Sequence, residues 1–207
     1  MHASTKLLAS LAAAAQVAVA DYGYQFSNAL STGPVAENSF IREANTTLVL
    51  PDVNSPQTGN LALWPGMGTS GGDLIQGLAI SNTEGTSGCS AAGKGVWCIV
   101  ASTLENKYND DTSKYDQTVS LNGEVVSRLS TSSGKAQGWG TAVECQQSAC
   151  GKVPSHQYVN TKFIMDVADP SYIDTLGTTG ASGDMVTDDN GKTWTIDTIN
   201  IESYTYE

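Results

Sequence analysis

Two side chains point most directly to chemistry, Gln76 and Glu144. Gln76 interrupts the run Leu74 to Ile80, which as an extended strand is apolar on both faces apart from that amide. An unpaired buried amide costs about 1–3 kcal/mol. Gln76 therefore either bonds to neighbouring loops or lies at the floor of a groove, where it could orient water or an oxyanion. Glu144 alternates with Val143 and Cys145 and shares its face with Ala142 and Gln146. Such a carboxylate is either a solvated strand residue or, beside an amide in a groove, a general acid or base. Trp64 and Trp97 could floor the groove by stacking on sugars or capturing side chains, or could belong to the core. Tyr158, Lys162 and Arg128 could bind an acidic polymer, or could sit on a solvent-facing strand.

Other chemistries lack their residues. Beyond His2, the sole histidine is His156. A site of two imidazoles is excluded if the first residues are removed, and a Ser-His-Asp triad could be built only on His156. No nucleophile elbow, phosphate-binding glycine loop or H-E-x-x-H is present. Asn109-Asp110-Asp111 with Asp116 is a loose calcium set without EF-hand spacing or glycine. Asp188-Asp189-Asn190-Gly191 reads as turn chemistry. No metal and no cofactor is expected.

The elements that must position these residues are strands. No sustained helical period occurs, and β-branched runs recur between Gly, Asn, Ser and Asp clusters. Strands are expected at 46–50, 61–64, 74–80, 96–101, 118–121, 124–130, 141–146, 159–168 and 193–201. Asn122-Gly123 and Asn190-Gly191 supply the positive φ angles of tight hairpin turns. In 159–167 the odd positions (Val159, Thr161, Phe163, Met165, Val167) form the expected core face. Residues 83–95 and 169–184 read as long loops. The fold class is all-β, two packed antiparallel sheets, in one domain spanning 21–207.

Residues 1–20 read as a secretory leader: Lys6, an apolar run from Leu7, and Ala18-Val19-Ala20 before Asp21. The implied destination is extracellular, which makes disulfides the default for Cys89, Cys98, Cys145 and Cys150. Proximity favours Cys89–Cys98 and Cys145–Cys150. Asn45-Thr46-Thr47 is an N-glycosylation acceptor. The chain has 10 basic and 21 acidic residues and a net charge of −11. This charge repels phosphate backbones and anionic lipid, so neither nucleic acid nor membrane is an expected partner. A monomer is expected.

The order of Leu61-Ala62-Leu63-Trp64-Pro65-Gly66, Leu74-Ile75-Gln76-Gly77, Thr141-Ala142-Val143-Glu144, Val153-Pro154, Thr161-Lys162-Phe163 and Gly191-Lys192-Thr193-Trp194 resembles the fungal glutamic peptidases, the eqolisins. It is also similar to secreted fungal proteins bearing an L-W-P-G segment. The resemblance implies a concanavalin-A-like sandwich. It also implies a glutamine–glutamate pair on a concave sheet. Gln76 falls at the family's glutamine. The family's glutamate falls on Gly140, with Glu144 at a second glutamate of that strand, and a neighbouring aspartate falls on Ile80. Three functions follow as expectations. The first is binding of an extended extracellular polymer, polysaccharide before peptide, on the concave face. The second is an acid endopeptidase using Gln76 and Glu144. The third is a polysaccharide lyase drawing on Gln76, Arg42, His156 and Tyr158.

Overall fold

The computed structural model describes residues 24–53, 58–81, 96–99, 103–146 and 150–206. The expected leader, Cys89 and the 83–95 loop lie outside these residues. The strands are β1 (Gln25–Thr32), β2 (Ile41–Val49), β3 (Leu61–Thr69), β4 (Leu74–Gln76), β5 (Ala79–Ser81), β6 (Trp97–Ile99), β7 (Thr103–Asn109) and β8 (Lys114–Leu121). They continue with β9 (Glu124–Thr131), β10 (Ala136–Cys145), β11 (Gly151–Val153), β12 (His156–Met165), β13 (Gly177–Thr179), β14 (Ala181–Ser182), β15 (Thr193–Ile201) and β16 (Tyr204–Tyr206).

These strands form an all-β sandwich. One layer runs β13-β1-β10-β3, with β4 and β5 one after the other along the far edge of β3 and β6 beyond β5. The other runs β14-β15-β12-β2-β7-β8-β9. Among the described residues every pairing is antiparallel, and the layers join through the one pair Ala136–Ile41. Strands β11 and β16 form a separate ribbon. One continuous apolar cluster lies between the layers, with Leu63, Met67, Trp139 and Val143 from the first facing Ala44, Phe163, Trp194 and Ile196 from the second. The Trp139 and Phe163 rings meet at 4.9 Å across this core.

Three sequence expectations are corrected. The run 74–80 is not one central strand. It breaks at Gly77-Leu78 into β4 and β5, both paired to β3. Residues 169–184 hold a 3-10 turn (Pro170–Thr175), β13 and β14, not a bare loop. The third correction concerns β12. Its odd positions are buried only from Thr161 to Met165, His156 and Tyr158 are the buried ones before them, and Val167, past the end of the strand, is 41% exposed. Asn160, at φ +55°, is an extra residue in the ladder to β2, and this bulge switches the phase.

The Asn122-Gly123 turn closes β8 onto β9 with φ values of 52° and 85°. Nothing lies within 4 Å of where a Gly123 Cβ would stand. Gly123→Ala therefore tests backbone strain alone. It is expected to cost about 1–2 kcal/mol, measured as a lower urea midpoint with an unchanged slope. Asn190-Gly191, also at positive φ, sits in a wider turn closed by the Val186–Thr195 bridge.

Candidate functional site

Alternation in β3 and β10 turns Leu63, Met67, Trp139 and Val143 inward. It turns Ala62, Trp64, Gly66, Gly68, Gly138, Gly140, Ala142 and Glu144 to the other face of the same layer. Gln76 belongs to that outer face. It alternates with core residue Ile75 and shares its side with Leu74, which is 43% exposed. The ladder registers then place Gln76, Gly66, Gly140, Ser31 and Gly177 in one row across five strands. The next row holds Trp64, Ala142, Ala29 and Thr179, and the one after it Ile80, Ala62, Glu144 and Phe26.

The result is a recessed strip floored by glycine and alanine. Ala62 is fully buried and Ala142 is 8% exposed, although both face away from the core. Close strand packing requires the bare floor at two positions. A Cβ on Gly138 would lie 2.4 Å from the Thr32 carbonyl, and one on Gly66 would lie 3.0 Å from that of Ile75. Polar groups stand beside it. Gln76 is half-buried, and its Oε1 is buried without a hydrogen-bond partner. Ser31 turns its hydroxyl toward Gly177, 3.3 Å from where a Cβ would stand there.

Glu144, 8% exposed, is held rather than free. Trp64 Nε1 donates to its Oε2 at 3.1 Å, and Gln146 Nε2 donates to its Oε1 at 3.1 Å. The end of β10 is pinned by the Cys145–Cys150 disulfide and by Gln146 N–H donating to the Asn60 carbonyl at 2.9 Å. Gln76 and Glu144 thus occupy one face but stand two strands and two rows apart. At the usual strand spacing and rise this is about 16 Å between Cα atoms. One water does not bridge them. Gly140, in the Gln76 row, carries no side chain.

The remaining candidates are distributed elsewhere. Trp97 pairs with Ser81, whose side faces the core, and its Nε1 donates to the Pro51 carbonyl at 2.7 Å. The two tryptophans lie on opposite faces of the layer and cannot floor one groove. Tyr158, expected at a ligand face, is fully buried in the core, a consequence of the Asn160 bulge. Lys162 and Arg128 lie on the second layer, Lys162 on its outer face beside Asn45. Arg42 is committed to Asp166, at 2.7 Å, and to Asp110. Of the side chains proposed for a lyase, His156 and Tyr158 meet ring to ring at 5.8 Å but are both buried, and Arg42 and Gln76 stand apart on different layers, so the set is not assembled. Asn109 accepts from the backbone N–H groups of Asp111 and Thr112 and donates to Asp116, so the acidic loop is organised as a turn. Cys98 is disulfide-bonded, as is the pair Cys145–Cys150.

His156 is 5% exposed, with its Nδ1–H donating to the Pro154 carbonyl at 3.1 Å and its Nε2 unpartnered. Burial holds its pKa below the ordinary 6.5. The unfolded chain therefore takes up this proton first. Stability is complete above about pH 6.5 and falls as pH drops from there toward the folded-state value. His156→Gln is expected to flatten that part of the profile, read as urea midpoints between pH 7.5 and 5. A variant with the same slope as the parent would refute the assignment.

The sequence reading missed Ser31 and Gly177; it placed Gln146 on the face of Glu144, and the structure adds their hydrogen bond. Ser31 lies in β1, whose Gln25–Thr32 segment carries no strong β-branched run. Only the register to β10 brings it into the Gln76 row.

No protein-family model matches the chain, and no curated protein matches it. Among solved structures the chain is similar to scytalidoglutamic peptidase bound to a peptide-based transition-state analogue, at 13% identity and a TM-score of 0.45, over 83% of this chain and 97% of that one. It is also similar to SCP-B, a member of the eqolisin family of peptidases in complex with the tripeptide Ala-Ile-His. That likeness has 14% identity and a TM-score of 0.46, over 83% of this chain and 96% of that one.

Proposed function

We propose that the protein binds an extended polypeptide along the recessed strip of the first layer. The observation that carries this reading is the Gln76 row: a side-chain-free floor at Gly66 and Gly140, with an acceptor at one side that lacks a donor and a hydroxyl at the other. A peptide backbone presents N–H donors at strand spacing, and the Gln76 Oε1, buried without a donor in the free chain, would meet one once its half-buried side chain turns out over the bare floor. A polysaccharide would need an aromatic platform. Among the described residues of the strip the aromatics are Trp64, whose N–H is committed to Glu144, and Phe26, in the Glu144 row, and neither stands in the Gln76 row. The expected binding of cell-wall polysaccharide therefore ranks behind peptide. In anisotropy titrations with short extended peptides, Gln76→Ala is expected to weaken binding about tenfold, the equivalent of one hydrogen bond. Absence of peptide binding, together with retention on insoluble glucan, chitin or pectin, would reverse the order.

A second reading, an acid endopeptidase, is favoured by one observation: the strip contains a buried carboxylate, Glu144, with two N–H donors fixing it. Gln76 is not its partner in this arrangement, so the carboxylate would act on a water without that amide. The reading requires cleavage of denatured protein near pH 3–4, abolished by Glu144→Gln. A wild-type chain that cleaves at no pH removes it and leaves the binding reading intact.

A further inference from the structure

We propose that Asn45 carries an N-linked glycan that covers the outer face of the second layer. The acceptor triplet lies within β2. Thr46 points inward, 2% exposed, and its hydroxyl bonds to that of Thr161 at 2.6 Å. That buried bond fixes the strand phase, so Asn45 and Thr47 share the opposite, outward face. There Asn45 is flanked by Lys162 of β12 and Glu105 of β7. The row extends to Thr195 on one side and to Thr118 and Arg128 on the other. Each of these side chains is partly or fully exposed, and all are polar groups that can hydrogen-bond a sugar.

The donor is a lipid-pyrophosphate-linked oligosaccharide. Asn45 Nδ2 forms a bond to the anomeric carbon of the reducing-end N-acetylglucosamine, the bond from that carbon to the pyrophosphate oxygen breaks, and the amide nitrogen gives up one proton. The lipid pyrophosphate leaves with the electron pair. Thr47 supplies the hydroxyl that the acceptor motif requires. Once attached, the glycan shields Lys162. Broad macromolecular contact is then left to the opposite side of the sandwich.

The test is secretion of the full chain from a eukaryotic host, followed by peptide mapping with and without peptide-N-glycosidase. The expected result is one glycan at Asn45, converted to aspartate by the enzyme, absent in Asn45→Gln and Thr47→Ala, and retained in Thr47→Ser. Lys162 is expected to acetylate several-fold more slowly before glycan removal than after it. An unmodified Asn45 in protein recovered from the medium, or a chain that never enters the secretory lumen, overturns the proposal. Equal acetylation rates overturn the shielding.

Discussion

Replacing Trp139 by alanine is expected to destabilise the protein by about 3–5 kcal/mol, the range for truncating a large buried aromatic. The residue is 1% exposed and sits near the middle of the sandwich. Its ring reaches across the core to Phe163 on β12, which in turn meets Tyr172, itself close to Trp194. Its neighbours cannot collapse inward easily. Trp139 is flanked by Gly138 and Gly140, and a Cβ on Gly138 would already overlap the Thr32 carbonyl. The strand has no adjacent side chain with which to fill the gap. For a domain of this size each kcal/mol lowers Tm by about 2–4 °C, so a fall on the order of 10 °C is expected in thermal melts, with a matching drop in urea midpoint. Trp139→Phe should recover part of the loss. A change below about 1 kcal/mol would mean that the two layers do not face each other through this residue.

Removing the Cys145–Cys150 disulfide, as Cys145→Ala with Cys150→Ala, is expected to cost about 2–3 kcal/mol. The bridge spans a sequence separation of only 5, so the entropy it removes from the unfolded chain sits at the low end for disulfides. Both sulfurs are buried, at 0% and 2% residue exposure, which adds lost packing. The functional consequence is local. Glu144 precedes the bridge and Gln146 follows it, and their side-chain bond is at 3.1 Å. Loss of the bridge should therefore weaken peptide binding, and any cleavage, more than a core mutation of equal stability cost. Comparing this variant with Trp139→Phe at a temperature where both remain folded separates the two effects. Equal function in the two would show that the bridge serves stability alone.

The sequence by itself determined the class of structure and its local turns. β-branched runs with period-two alternation, broken by glycine, asparagine and proline, admit only a sheet protein, and Asn122-Gly123 specified its hairpin because positive φ is cheap for those residues. It also picked out Gln76 and Glu144 as polar side chains on mostly apolar strands, and the structure places both on the outer face of one layer. The tertiary structure alone decided the rest. A single bulge at Asn160 inverts the phase of β12 and sends Tyr158 and His156 inward, and a local pattern cannot register one extra residue whose cost is met by the neighbouring strands. Trp64 and Trp97 part to opposite faces because the registers pair Ala62, on the side of Trp64, with Ile80, and the core-facing Ser81 with Trp97, and no local pattern specifies these ladders. The candidate dyad shows the same division of labour. Alternation fixes which face a side chain takes, but only cross-strand register fixes which row, and rows lie about 7 Å apart. Ser31 and Gly177 join the Gln76 row through pairings of Ser31 with residues more than a hundred positions away, and Glu144 is set apart from Gln76 by the pairing of Gly66 with Gly140, 74 positions away.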